Sequence, residues 1–355
     1  MLPLEIYICA DFSRDSIELL RLAGHTVRTG GWGFSGDIAA EDELISQIGA
    51  ADVLVAGYEE ITEKVLNETG LKAIFSIRGG PRANIDVDCA TRMGIPVFYT
   101  VGREAVPVAD FTMGQILSLT RKITRTDREL RRGVFAAPHM AYGSEKDVIW
   151  DMTPEGPWQA RKGAEMQGRT LGLIGFGSVG TEVAKRAAGF GMNVIAYDPY
   201  ISDEYMSKNN AKKCGLDQLM RAADIISLHA KVTDANKGML DGRAFSLMKD
   251  GVYLVNNARA GLIDEQAMRD ALRSGKLGGL ALDVFHKEPI SGGDELFDYD
   301  NVIVTPHIAG SGLDAIYLQS VMITNDIMFY AAGGRPRVIA NPEVYGIVWA
   351  APAAQ

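Results

Sequence analysis

Leu171-Gly-Leu-Ile-Gly175-Phe-Gly177-Ser-Val-Gly180 is the stretch whose reading decides the architecture. Residues 171–174 form an apolar run that predicts a buried strand, and residues 181–190, TEVAKRAAGF, carry the pattern of a helix. A glycine-rich turn between a strand and a helix is the context of a dinucleotide phosphate site. Gly175 permits the turn out of the strand, Gly177 lets backbone amides approach a pyrophosphate, and Gly180 lets the helix pack close to the sheet. The helix N-terminus adds unpaired N–H groups and a partial positive charge.

Working outward, a second apolar run at 193–197 ends in Asp198, eighteen residues past Gly180. A carboxylate at about that distance accepts the ribose hydroxyls and repels a 2′-phosphate, so NAD is expected in preference to NADP. The chain has 355 residues, enough for two domains with separate cores. A net charge of −9 argues against nucleic acid or an anionic membrane as the main partner. The densest basic cluster, Arg125, Arg128, Arg131 and Arg132, is interleaved with Asp127 and Glu129 and reads as a solvated helix face or a subunit contact. Cys9, Cys89 and Cys214 form no CxxC pair and read as small buried residues in a reducing compartment. The N-terminus runs almost at once into a strand, without the basic start and apolar stretch of a signal peptide, and no segment has the length of a membrane span. The expected location is the cytoplasm.

Upstream, residues 4–10, 53–56, 73–77 and 97–100 read as strands. Helical patterns at 15–23, 62–68 and 86–93 lie between them and close at Gly24, Gly70 and Gly94. This alternation predicts a second parallel, doubly wound sheet. Residues 106–132 predict one long helix, and 133–168 an extended excursion whose Trp150 and Trp158 suggest docking on a second subunit. Strands recur at 224–228, 252–255, 280–284 and 302–305, followed by a helix over 313–332. The expected fold is α/β. A Rossmann NAD-binding domain, 105–312, is inserted into a discontinuous, flavodoxin-like substrate domain, 1–104 with 313–355.

Chemistry at a C–O centre next to a nicotinamide needs a proton carrier and a cation for the substrate's anionic group. His229 and His307 follow predicted strands, as do Arg259 and Glu288, whereas His25 and His139 lie far from any strand end. Ligands bind at the carboxyl ends of strands in open α/β sheets. Strand ends also carry polar residues for structural reasons, so spacing alone leaves this set undecided.

Here the residues resemble the NAD-dependent D-isomer-specific 2-hydroxyacid dehydrogenases. The resemblance rests on Asn84-Ile-Asp86, the phrase from Gly168 to Gly180, Tyr197-Asp-Pro199, Asn257-Ala-Arg259, Ala281-Leu-Asp-Val-Phe285, Glu288-Pro289 and Thr305-Pro-His-Ile-Ala-Gly310, in that order. It implies reduction of a small 2-keto acid, with His307 as acid and base, Glu288 favouring its protonated form, and Arg259 clamping the substrate carboxylate. It also implies pyrophosphate contacts from the Ser178 and Val179 amides, and carboxamide contacts from Asp283 and the Ala258 carbonyl. Pro199, His229, Ala230, Thr233, Asn257, Ala309 and Gly310 would line the rest of the cofactor, together with Arg259 and His307. A homodimer is the expected assembly.

Two departures stand out. Lys231-Val232 replaces a common Pro-Leu near the cofactor phosphates. The loop whose amides customarily bind the substrate carboxylate reads Arg78-Gly79-Gly80-Pro81, and Pro81 has no N–H to give. Arg78, Arg82 or Arg103 could supply a charged contact instead, which would suit a polar, polyhydroxylated or phosphorylated acid. Residues 163–170 imitate a Walker A loop, but Arg169 stands where lysine belongs and the segment precedes its strand. No metal site is expected. The rival readings are an NAD-sensing, corepressor-like binding protein and a family member with an unusual substrate such as phosphite. Formate is disfavoured by the glutamate beside the imidazole.

Overall fold

The computed structural model describes residues 3–134 and 157–348. The excursion expected over 133–168 falls mostly on 135–156, so Trp150 and His139 lie outside the described residues. The chain divides into two compact units, Met1–Glu104 with Gly312–Gln355, and Ala105–Ser311.

The first unit holds five parallel strands: β1 Glu5–Ile8, β2 Thr26–Thr29, β3 Val53–Ala56, β4 Ala73–Ser76 and β5 Val97–Tyr99. Their order, β2-β1-β3-β4-β5, is that of flavodoxin-like sheets, with the switch point between β1 and β3. The strand β2 escapes sequence reading because TVRT buries only Val27 and lies at an edge. The helix Glu41–Ile48 also escapes, since its acidic sequence buries only Leu44 and Ile48. The last long helix, Leu313–Ala331, belongs to this unit. Ile323 and Ile327 enter its core, and Tyr330 packs edge-on against Phe75 and Phe98 at 6.1 and 5.9 Å. Such ring pairs add about 0.5–1.5 kcal/mol each beyond burial.

The second unit holds seven parallel strands: β6 Thr170–Ile174, β7 Asn193–Tyr197, β8 Lys212–Lys213, β9 Ile225–Leu228, β10 Val252–Asn256, β11 Leu277–Leu282 and β12 Val302–Val304. The order β12-β11-β10-β9-β6-β7-β8 reverses between β6 and β9. Because all strands run the same way, the loops after β6, β7, β9, β10, β11 and β12 share one rim. The helices Ala105–Thr120 and Ser178–Gly189 pack one face with Met113, Ile116, Val183 and Ala187. Helices Leu216–Ala222, Gly242–Leu247 and Glu265–Arg273 cover the other with Leu219, Phe245 and Met268. Both sheets are thus buried on two faces, as parallel sheets require.

Two expectations need correction. The single helix predicted over 106–132 is two, Ala105–Thr120 and Ile123–Arg131, broken at Lys122, which sits at φ 59. The Thr120 carbonyl accepts the Ala164 N–H at 2.9 Å, and a side chain at Gly163 would run into Thr120 and Arg121, so a distant segment ends the helix. Cys9 and Cys89 are buried as expected, but Cys214 is only half-buried.

Candidate active site

The glycine turn after β6 shows why each position needs its residue. Gly175 sits at φ +93, and a Cβ there would lie 2.5 Å from the Ala230 nitrogen and 2.6 Å from the His229 carbonyl carbon. A Cβ on Gly180 would lie 2.5 Å from the Gly175 oxygen. Both glycines are therefore demanded by protein packing. Gly177 differs: it is exposed, and a Cβ there would meet no atom within 4 Å. Its smallness serves whatever approaches from outside. No side chain caps the helix Ser178–Gly189, so the Ser178 and Val179 amides open its first turn uncapped.

At the end of β7, Asp198 accepts the Phe176 N–H on Oδ2 and the Tyr200 N–H on Oδ1, each at 2.9 Å, while Pro199 is exposed. Each carboxylate oxygen keeps a lone pair for a further donor. After β9, the His229 ring is turned into the protein. Its Nε2 meets Ser227 Oγ at 2.9 Å, its Nδ1 is buried with no partner among the described residues, and burial pushes the imidazole down to about 3. The ring is neutral, and what the segment offers the glycine turn is the His229–Ala230 backbone. The Lys231-Val232 departure and Thr233 after it are exposed, and Asn236 fastens them, accepting the Thr233 N–H and donating to the Lys231 carbonyl, both at 2.7 Å.

The loops after β10, β11 and β12 bring Arg259, Glu288 and His307 to one stretch of rim. His307 Nδ1 lies 2.8 Å from Glu288 Oε2, and Glu288 Oε1 accepts the Phe285 N–H at 2.9 Å. Burial disfavours ionisation of Glu288. The His307 hydrogen bond, the Phe285 amide and the charges of His307 and Arg259 outweigh it and hold the carboxyl below its usual range. An ionised carboxylate only accepts, so His307 Nδ1 carries a proton and Nε2 is left to exchange one. Arg259 is exposed and folds back, Nη1 donating to the Ala258 carbonyl at 2.6 Å. The carbonyl expected to meet a carboxamide thus already accepts one hydrogen bond. Asn256, fully buried, accepts the Ala258 N–H and donates to the Arg259 carbonyl, both at 3.0 Å, and so sets this turn.

Asp283 does more than the sequence suggested. It is 1% exposed and accepts Thr305 Oγ1 at 2.6 Å, the Ile308 N–H at 2.9 Å and the Ala309 N–H at 2.7 Å. These bonds clamp the loop that holds His307 at φ 57, a left-handed conformation costing a non-glycine residue about 1 kcal/mol or more. Gly310 follows, half-buried. Thr112 and Gln115, on the helix Ala105–Thr120, were missed: Thr112 Oγ1 accepts from Asn257 at 3.0 Å, and Gln115 donates to Thr305 at 3.3 Å. Their only sequence signal is polarity on an otherwise apolar helix face.

The model of the "D-isomer specific 2-hydroxyacid dehydrogenase, NAD binding domain" family matches residues 113–309. The chain belongs to this family. It is 38% identical over 282 residues to a hydroxypyruvate reductase of Thermotoga maritima, covering 78% of this chain and 83% of the relative. It is 32% identical over 335 residues to a D-3-phosphoglycerate dehydrogenase of Archaeoglobus fulgidus, covering 93% of this chain but 58% of that longer protein. Among solved structures, the apo D-lactate dehydrogenase of Escherichia coli is similar at a TM-score of 0.69 and 25% identity, over 95% of this chain and all of that one (100%). NAD is the cofactor of this family's domain, and the residues fit it. Gly177 leaves room for a phosphate, the helix start offers amides, and Asp283 Oδ2 keeps a lone pair beyond the Ala309 bond.

In the first unit, the three arginines considered for this family member's substrate differ. Arg82 pairs with Asp88 at 2.8 Å, and Arg103 is held by Glu104 at 2.7 Å and by Gln319. Arg78, half-buried, makes no ion pair among the described residues. Gly79 and Gly80 are exposed, and Pro81 opens a 3₁₀ turn, Pro81–Ala83. Glu63, Asp86 and Cys89 approach one another closely enough to hold a metal ion, but Asp86 already caps its helix through the Cys89 N–H at 2.8 Å.

Proposed function

We propose that this family member reduces a small 2-keto acid to the D-2-hydroxy acid with NADH, and catalyses the reverse with NAD. The chain spans only about three fifths of the phosphoglycerate dehydrogenases it matches, 58% and 59% of their lengths, so the activity is inferred from the site. The observation that carries it is the His307–Glu288 pair on the rim that also bears the glycine turn.

With NADH held at the glycine turn, the nicotinamide would supply hydride for C2 of the keto acid. His307 Nε2 gives its proton to the carbonyl oxygen as the hydride's electron pair forms the new C2–H bond and the C=O π pair moves onto that oxygen, and Glu288 stabilises the imidazolium through Nδ1–H. Arg259 swings from the Ala258 carbonyl to take the substrate carboxylate in a charge-assisted bond. Asp283 fixes the loop that aims His307, and Asp198 holds the adenosine ribose. Arg78, with no ion pair among the described residues, is the first choice for a further substrate contact, with the Gly79 and Gly80 amides. Arg103 is a weaker choice because its partners occupy it.

We further propose a cytoplasmic homodimer acting on a small molecule, without nucleic acid or membrane. Ile123 and Leu130, 55% and 56% exposed on the helix Ile123–Arg131, support a subunit contact, and light scattering would measure it. No helix of the described residues is long and apolar enough to cross a membrane. The function is tested by NADH oxidation with glyoxylate, hydroxypyruvate, pyruvate, longer 2-keto acids and sugar-derived keto acids. Turnover with a D-configured product is expected. Tight NADH binding with no turnover on any of them would overturn the enzyme and favour a sensor.

A further inference from the structure

Arg78 stands on a support that the mechanism above does not use. Its Cζ lies 5.1 Å from the centroid of the Tyr58 ring, within range of a cation–π contact. Tyr58 is in turn met edge-on by Trp32, with centroids 4.4 Å apart and planes at 73°. The Trp32 backbone N–H donates to Glu59 Oε1 at 2.7 Å, and Glu59 is fully buried. Asn84 fastens the same loop from the other side, donating to the Gly57 and Glu59 carbonyls at 3.2 and 2.7 Å.

The sequence clears space for this arrangement. A Cβ on Gly31 would lie 2.5 Å from Glu59 Oε1, and one on Gly57 would lie 3.1 Å from Oε2. A Cβ on Gly33 would run into the Ala10 backbone, whose neighbour Cys9 accepts the Gly33 N–H at 2.8 Å. A buried carboxyl group with one oxygen unpartnered among the described residues is costly unless it does something an apolar side chain could not. Here it pins the turn Trp32–Ser35 to the end of β3. All of these groups follow β1, β2, β3 or β4, at the carboxyl rim of the first unit's sheet.

We propose that Glu59, Trp32 and Tyr58 are positioning residues that hold the Arg78 guanidinium, stacked and with no carboxylate partner among the described residues, ready for an anionic group of the substrate. The proposal rests on the reading of Arg78 as a substrate contact. Held on an aromatic face, the guanidinium loses less freedom on meeting a carboxylate than a free side chain would.

The test is a double-mutant cycle on the full chain with NADH bound, following KM and kcat for the best 2-keto acid. Arg78→Met should raise KM about tenfold or more, and Tyr58→Leu about three- to tenfold, with kcat held within twofold. Trp32→Leu should act in the same direction and less strongly. Tyr58→Phe, which keeps the ring, should stay near wild type. In the Arg78→Met background, Tyr58→Leu should add nothing. The same cycle is read on the dissociation constant of oxalate, an unreactive dicarboxylate, so the outcome does not depend on turnover. Tyr58→Leu raising KM and the oxalate constant equally in both backgrounds, or in neither, would overturn the proposal. Arg78→Met without effect would instead remove Arg78 from the site, and absence of turnover with normal oxalate coupling would strike only the proposed reaction.

Discussion

Replacing Asp283 with Asn should unclamp the catalytic loop while leaving the sheet below it in place. The carboxylate accepts three hydrogen bonds, from Thr305 Oγ1, Ile308 N–H and Ala309 N–H. An asparagine oxygen on the Oδ1 side can keep the first two, but as neutral bonds, each weaker by about 1 kcal/mol. Its amide group would then face the Ala309 N–H, and a buried donor left unpaired costs about 1–3 kcal/mol more. The sum is about 3–5 kcal/mol, and the left-handed His307 gives the loop a reason to relax first. Hydrogen exchange of a peptide spanning 302–312 should therefore accelerate about 150- to 5000-fold, the kinetic equivalent of that loss. The kcat should fall about 100-fold or more, because displacement of a reacting group by roughly 1 Å has that effect. Thr305→Ser, which keeps the hydroxyl, should leave both readings near wild type. Exchange and kcat within threefold of wild type in Asp283→Asn would refute the clamp.

Three further outcomes are expected. Asp198→Ala should narrow the preference for NAD over NADP at least tenfold, measured as the ratio of kcat/KM values; an unchanged ratio would place selectivity elsewhere. Gly177→Ala should leave Tm within about 2 °C of wild type yet weaken NADH binding, whereas Gly180→Ala, with its Cβ 2.5 Å from the Gly175 oxygen, should cost about 1–3 kcal/mol of stability as well. Equal Tm losses in the two variants would contradict the assignment of Gly177 to the ligand. Arg269→Ala should cost about 2–3 kcal/mol near neutral pH, because Arg269 bonds Glu265, Asp294 and Glu295 while only 15% exposed. Hydrogen bonds from Arg269 hold Asp294 below its usual range despite burial, so this contribution is complete above about pH 4 and lost as pH falls through the folded value. The Tm gap between wild type and variant should be flat from pH 5 to 8 and close below pH 4; a gap unchanged at pH 3 would assign the loss to packing.

What could be read in the sequence was local. The strand, glycine turn and helix around Gly175 are set by neighbours a few residues apart, and the strand-end placement of Arg259, Glu288 and His307 follows from the same alternation. What escaped depends on distant partners. The break at Lys122 is made by Gly163 and Ala164. The left-handed His307 is held by a carboxylate 24 positions earlier, and the neutral state of His229 follows from burial that no spacing reveals. The stack of Trp32, Tyr58 and Arg78 joins three loops that only the β2-β1-β3-β4 order brings together.

The most direct test of His307 as the proton carrier separates binding from chemistry. His307→Asn is compared with wild type for NADH binding by fluorescence titration and for single-turnover reduction of the best 2-keto acid. The account predicts NADH affinity within about threefold of wild type and a reduction rate lower by about 1000-fold or more, consistent with loss of a general acid. A variant that binds NADH normally and reduces the acid at near wild-type rate would contradict it.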